Sequence, residues 1–412
     1  MKTMPMTNTH HRIASLLTLT AALAGCGGAA DTSTSTPPAP APAPSGVVSL
    51  RFLNDANANV FDQGSASTTL SVQATKDGSN ADGIPVIFSA TPGTVSPASA
   101  LSSNGVASTT LSVPNAAATG AMPITATATN TNTATFQAYV RPKPEKLQVL
   151  VPAYFSASTQ AAVWTALTTG AQSYPDVQVN VIVKPDNAAN GIIPAGTYTP
   201  DNALITVIDA LKAAHPNTKV FGYVATGGGT NGTISLTDAQ TTIKQYATSY
   251  GTRIDGFYLD GMAVDRNYVT SFYQPLSTHI AATTGLGTTP PLVIGNTAAY
   301  PAKEYAPLVN VLVTYNGSAT NYQSTDPQTA GALWAYDKQN VAQAMQVHTA
   351  STCSDMQAAV ARAHSPRMNT GWIFVTDQTI GAPWSTLPAT PYWKSFLGTV
   401  DATNKRNPLP TC

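Results

Sequence analysis

The chain has 412 residues, more than one small domain needs and enough for two or three. Only 10% of its residues are charged, and 20 Lys and Arg balance 20 Asp and Glu. Binding a phosphate backbone requires clustered Lys and Arg; no such cluster occurs, which excludes nucleic acid as a partner. Thr, Ser, Asn and Ala fill the place of the missing charges, a composition that suits an exported protein with β-rich parts.

Lys2 and Arg12 flank the start of the chain, and the apolar run IASLLTLTAALAG that follows is too short to span a bilayer. It reads as the core of an export signal over residues 1–25. The run ends in LAGC, Leu23 to Cys26, which resembles the lipobox of bacterial lipoproteins. That resemblance implies a lipid on the Cys26 thiol and a membrane anchor; the alternative is an ordinary secretory signal with a chance cysteine. Gly27 stands where an aspartate would imply inner-membrane retention, so in a Gram-negative cell the outer membrane is expected. Residues 26–45 are Ala, Pro, Thr and Ser, including PPAPAPAP, and favour polyproline II. At ~3.1 Å per residue this segment reaches roughly 60 Å, a stalk between membrane and protein.

Residues 46–141 carry short alternating runs (VVSLRFL, TTLSVQAT, IPVIFSAT, VASTTLSV, PITATAT, TFQAYV) separated by Gly, Asn, Asp and Pro. Strands at regular spacing with turn residues between them predict an all-β sandwich. DGIPVIFSATPGTVSP followed by SSNGVASTTLSV resembles the bacterial Ig-like domain of the invasin and intimin type, which implies a spacer or adhesive module without chemistry. RPKPEK, Arg141 to Lys146, is a proline-punctuated joint.

From residue 147 to 405 the pattern alternates between strands and helices. The strands are KLQVLVPAYF, VQVNVIVKP, KVFGYVAT, IDGFYLDG, PLVIGNT, VLVTYNG, AQAMQVHT and GWIFVTD. Helical patterns follow each, including AKEYAPL after the fifth; the segment after the sixth is poorly patterned. Eight such units over about 250 residues predict an α/β fold of the (β/α)8 TIM-barrel type. The nearly continuous apolar strands suit a parallel sheet buried on both faces. GGGTNG, Gly227 to Gly232, matches a dinucleotide-binding fingerprint, yet the next helix is expected only after the cap-like SLTD, Ser235 to Asp238. A pyrophosphate site needs the helix to begin inside the motif, so a glycine-rich barrel loop is the better reading. No cofactor is expected.

In a (β/α)8 barrel the active site forms at the C-terminal strand ends. Those ends carry Tyr154, Asp186, Tyr223, Tyr258, Asp260, Asn296, Tyr315, His348 and Asp377. Aromatic rings with a few carboxylates and amides suit a sugar, whose apolar faces stack while its hydroxyls pair. Alternation gives Tyr258 and Asp260 one orientation and Phe257 and Leu259 the other. No G-x-S-x-G elbow occurs, and His215, His279, His348 and His364 show no metal-ligand spacing. Glu145 falls in the joint and Glu304 near a helix start. Carboxylates are left for acid–base work. Cys353 and Cys412 form an even pair in an oxidising compartment, which favours a disulfide over two free thiols.

LVPAYF, VIVKPDNAANG, VFGYVATGGG, IDGFYLDG, LVIGNTAAYP and WIFVTDQ occur in the order found in spherulation-specific family 4, and residues 147–400 resemble that group. The resemblance implies a (β/α)8 barrel and, from known members, hydrolysis of galactosamine-containing polysaccharides such as galactosaminogalactan. Members commonly close the fourth strand with an Asp-Glu pair; here Asp260 is followed by Gly261. They also use a later strand-end Glu, for which VTYNG offers Tyr315 or Asn316. Hydrolysis by the common routes takes two carboxyl groups, ~5–5.5 Å apart for retention and ~6.5–9.5 Å for inversion. Asp377, in the VTD motif, is the first partner available to Asp260, ahead of Asp186 and Asp265. Two functions follow as expectations. One is an endo-acting glycoside hydrolase on an amino-sugar polysaccharide, with Asp260 and Asp377 catalytic and Tyr154, Asp186, Tyr223, Tyr258, Asn296, Tyr315 and His348 holding substrate. The other is a degenerate barrel that binds glycans as an adhesin or matrix protein.

Overall fold

The computed structural model describes residues 47–230 and 233–412. The export signal, Cys26, the proline-rich stalk and the last two residues of the glycine-rich motif lie outside the described residues.

The first part is a β domain of two sheets packed face to face. One sheet sets Val48–Phe52, Thr68–Lys76, Val106–Ser112 and Thr94–Ser96 side by side, with Ser79–Asn80 pairing to Thr68–Lys76. The other runs Val60–Asp62, Ala134–Arg141, Gly120–Thr127, Pro85–Ala90 and Ser99–Leu101. Pro85–Ala90 shows how sequence alternation becomes layering: Val86, Phe88 and Ala90 are buried while their neighbours face water. Leu70 and Leu111 of the first sheet meet Met122, Ile124 and Phe136 of the second, closing the core. Each such side chain contributes about 1.5–3 kcal/mol by leaving water.

The second part is a closed barrel of eight parallel strands: Gln148–Ala153, Val179–Val183, Val220–Ala225, Gly256–Asp260, Leu292–Asn296, Val311–Ser318, Gln343–His348 and Trp372–Val375. Pairing of Gln148 with Trp372 closes it. Leu150, Ile182, Phe221, Tyr258, Ile294, Val313 and Trp372 fill the interior. The alternate residues, such as Val181, Phe257 and Leu259, pack outward against Trp164, Ile243 and other buried helix positions. With the middle filled, a site can exist only at the rims.

Four strand–helix units begin as expected, and the third helix, Leu236–Tyr250, starts on a capping box of Ser235 and Asp238, beyond the glycine motif. The fifth and sixth units depart from the pattern. AKEYAPL forms only a 3-10 turn, Lys303–Tyr305. Pro301 and Pro307 bracket it, and a proline restricts the residue before it and removes a backbone donor. The sixth connection holds a single helical turn, Ala319–Tyr322. Helices Cys353–His364 and Thr390–Lys405 complete the ring. Cys353 and Cys412 are disulfide-bonded, and Gln357 Nε2 donates to Pro410 O at 2.8 Å, so the chain end is held against the barrel wall.

The β domain seats on the barrel's N-terminal face, where residues 333–342 and 367–371 lead into the last two strands. Tyr139 of the β domain stacks against Tyr336 at 5.1 Å between ring centroids, and Val60 completes that cluster. Asn59 and Gln328 exchange amide hydrogen bonds at 3.1 and 2.8 Å, and the Tyr336 hydroxyl donates to Arg367 O at 2.9 Å. Arg141, buried at the exit of the β domain, is paired with Asp62 at 2.6 Å. The chain enters the β domain at the opposite end, where Val48 bridges to Thr131. Replacing Tyr336 by Ala removes a buried ring, a change that costs about 3–5 kcal/mol. Calorimetry of Tyr336→Ala is expected to separate the melting of the β domain from that of the barrel; a single unchanged transition would show that the junction does not couple them.

Candidate active site

The fourth strand ends in Tyr258, Leu259, Asp260, and alternation sets both Tyr258 and Asp260 on the inner face. Tyr258 has no exposed surface and forms the floor, its hydroxyl donating to Gln346 Oε1 at 3.2 Å. Two residues on, Asp260 emerges at the mouth. Its backbone is clamped by the glycine-rich loop: Thr226 donates its N–H and its hydroxyl to Asp260 O at 2.9 and 2.8 Å, and Gly228 N donates to Gly261 O at 2.8 Å. Both carboxylate oxygens are also engaged. The Tyr223 hydroxyl donates to Oδ2 at 2.7 Å and Asn296 Nδ2 to Oδ1 at 2.8 Å. Asn296 is oriented in turn by accepting Ala298 N at 3.0 Å, with Ala298 in the left-handed region at φ +55. Burial, reinforced by the charge of Asp260, raises the Tyr223 phenol far above its ordinary pKa, so it stays a donor to the carboxylate.

Above Asp260 opens a cleft of about 360 Å³. Tyr154 stands on one side, edge-on to Tyr223 at 5.3 Å; Trp384, from the loop after the eighth strand, stands on another. Asn296, Asn316, Met262 and Thr297 supply the rest of the wall. Asp260 is the only charged side chain among the nine lining residues. A larger hollow of about 610 Å³ lies on the barrel's other face, around Glu145 and His215, away from the strand ends where this fold does its chemistry.

The sequence-derived candidates thus separate. Tyr154, Asp260 and Asn296 line the cleft, and Tyr223 backs the carboxylate. His348 sits at the rim with its ring 5.9 Å from Trp384, and its Nδ1 pairs with Thr349 Oγ1 at 2.8 Å. Tyr258, expected to hold substrate, has no surface to offer one. Tyr315, expected at the mouth, points the other way: it packs on Tyr322 at 5.0 Å, and its hydroxyl donates to Ser318 O. The cause is a β-bulge between Val313 and Tyr315, where Thr314 has no partner across the pair to the seventh strand. The extra residue shifts the alternation by one, turning Tyr315 out and Asn316 in. Asp186 is exposed beside the mouth, outside the cleft lining, and accepts the hydroxyls of Ser156 and Ser158 at 2.6 and 3.0 Å. Asp377 also lies outside the lining; it accepts Gln378 Nε2 at 2.8 Å, and its charge bears on Tyr392. Gly261 has φ +65, and a Cβ there would meet nothing within 4 Å. Room exists for a side chain, but the backbone is in a region L-residues disfavour.

Of the alternatives Tyr315 and Asn316, the bulge brings Asn316 into the cleft. Met262, Thr297, Ala298 and Trp384 line it without having been singled out in the sequence. Trp384 sits in GAPWST, a stretch without periodicity, and its only signal was a lone tryptophan in a long loop after a strand end. Among the described residues no three His, Cys, Asp or Glu side chains converge as metal ligands. Burial lowers the His348 pKa, so this side chain stays neutral in the fold at a pH where the unfolded chain, near its ordinary ~6.5, takes up a proton. His215 and His364 shift in the same direction, also through burial first. Stability is therefore expected to fall as pH drops below about 6.5, read as a declining urea midpoint, and His348→Gln should remove part of the decline. An identical pH profile in the variant would deny His348 any share in it.

The model of the spherulation-specific family 4 matches residues 148–400, well over half the chain. No curated protein matches the sequence. Among solved structures, Sph3 of Aspergillus clavatus in complex with GalNAc is similar at 20% identity and TM-score 0.51, covering 62% of this chain and 98% of that one. The GH5 xyloglucanase of Bacteroides ovatus in complex with a XXXG heptasaccharide is similar at 11% identity and TM-score 0.39, covering 86% and 100%. The D0-D1 domain of intimin covers 22% of this chain and 44% of its own at 18% identity and TM-score 0.18. The last two likenesses are too remote to carry weight, and the first speaks for the barrel fold. With eight parallel strands, an Asp closing the fourth and a family match along the whole barrel, the chain belongs to spherulation-specific family 4.

Proposed function

We propose that this protein is an exported, lipid-anchored glycoside hydrolase that cuts an amino-sugar polysaccharide of the galactosaminogalactan type from within. The observation that carries the reading is Asp260, fixed through both oxygens at the base of an open cleft flanked by Tyr154 and Trp384. Aromatic faces stack on sugar rings, and the amides of Asn296 and Asn316 pair with hydroxyl or acetamido groups. The GalNAc bound by Sph3 motivates the sugar class, and family membership motivates the endo mode. With both oxygens already accepting neutral donors, Asp260 suits stabilisation of the positive ring that develops as the glycosidic bond breaks. Asp377 is the assisting acid in this reading. It shares the 376–389 loop with Trp384, and substrate contact with Trp384 would be what draws it in.

A second reading has its own support. The cleft wall holds one carboxylate where cleavage by the common routes takes two, and the resemblance puts family glutamates at Gly261 and at Tyr315 or Asn316. On this reading the barrel grips glycans without cutting them, and the N-terminal sandwich, similar to Ig-like spacers, presents it. Asp260→Asn is expected to abolish reducing-end release from galactosamine polymers while leaving the melting temperature within a few degrees. Unchanged release would remove Asp260 from the mechanism, and sustained binding without new reducing ends in the wild type would select the second reading. The anchor is tested apart from the barrel: palmitate labelling should be lost in Cys26→Ala, and a label that persists rules out lipid at this thiol.

A further inference from the structure

The loop between the strand Val179–Val183 and the helix Asn202–Ala214 carries the stretch DNAANGII, Asp186 to Ile193. Its base is latched: Asn187 Nδ2 donates to Thr199 O at 2.9 Å, and Asn187 Oδ1 accepts the Tyr198 hydroxyl at 2.7 Å. Ala189 bridges to Ile192, and between them Asn190 and Gly191 stand at φ +52 and +76. Two consecutive left-handed residues make the tight hairpin turn that Asn-Gly favours. Ala188 and Ile193, on either side, are buried, and Ile193 N donates to Thr242 Oγ1 of the third helix at 3.1 Å. The turn is therefore fixed to the barrel wall from both of its arms.

The tip of this turn bears on Tyr223. A Cβ on Gly191 would stand 2.7 Å from Tyr223 Cδ1 and nearer still to Cε1, closer than side chains approach. Backbone conformation alone does not call for glycine here, because Asn190 holds a side chain at a similar φ in the same turn. What excludes a side chain at 191 is the ring. Tyr154 meets that ring edge-on at 5.3 Å and Tyr258 lies 6.3 Å away, so a ring pushed at Cε1 has to turn. Cε1 is bonded to the carbon that carries the hydroxyl, and that hydroxyl donates to Asp260 Oδ2 at 2.7 Å. We infer that Gly191 is a positioning residue: the bare tip of the Asn-Gly turn sets Tyr223, and through it the orientation of the Asp260 carboxylate.

The test follows the Asp260 Cγ resonance in the full chain labelled with carbon-13 at aspartate Cγ, the signal being identified by its loss in Asp260→Asn. Tyr223→Phe removes the hydroxyl and should shift this resonance. Gly191→Ala should shift it too, and the double variant no further than Tyr223→Phe alone, because both changes act through one hydrogen bond. Asp255, paired with Lys212 and Lys219 at the other end of the fourth strand, should not move, whereas a general loosening of the fold would move both. An Asp260 resonance unchanged in Gly191→Ala, or a shift that adds to that of Tyr223→Phe, overturns the inference. Should Gly191→Ala fail to fold, Thr242→Val frees Ile193 N and lets the turn drift without added bulk; an unmoved Asp260 signal there overturns it equally. Reducing-end release, which rests on the hydrolase reading above, should fall on the order of 10²-fold in Gly191→Ala through kcat, with little further loss in the double variant. A wild type that releases nothing removes the hydrolase reading and leaves the resonance to decide the inference.

Discussion

Two residues in succession on the inner face of one strand, Tyr258 and then Asp260, set the limits of this protein's chemistry. The ring fills the barrel so that no water column or substrate can descend, and the carboxylate is carried at the first level where solvent returns. Tyr223, Asn296 and the glycine-rich loop all converge on that level. Tyr223 and the loop come from the end of the third strand and Asn296 from the end of the fifth, so the acid is located by its two neighbours in the closed barrel. This is why a site with so few charges can still be rigid.

The sixth strand shows how little is needed to rewrite such a site. One unpaired residue, Thr314, exchanges which of two neighbours faces the cleft. The outward partner, Tyr315, is then absorbed into an aromatic pair with Tyr322 under the barrel wall, while Asn316 joins Gln346 at 3.0 Å on the inside. An amide thus stands at the cleft wall, and beside Asp260 the left-handed backbone at Gly261 disfavours any side chain.

Much of this was legible in advance because it depends on local pattern. Continuous apolar runs revealed the eight strands, alternation aligned Tyr258 with Asp260, and SLTD marked the true helix start. What the pattern could not carry was anything that breaks it. A bulge is invisible to a period of two, so alternation alone aims Tyr315 at the cleft. The fifth helix pattern, AKEYAPL, yields only a 3-10 turn between prolines, while the poorly patterned sixth segment holds a single helical turn. Trp384 reaches the cleft by the course of a loop, and loops have no periodicity to read. Asp186 and Asp377 lie in the loops just past the second and eighth strands, and their side chains are occupied by serine hydroxyls and a glutamine amide.

The seating of the β domain on the N-terminal face of the barrel has a directional outcome. Val48, where the described chain begins its first strand, is one strand length, roughly 25 Å, from the junction at Arg141. The cleft opens on the far side of the barrel from that junction. The cleft residues and the residues around Val48 thus face opposite ends of the described structure.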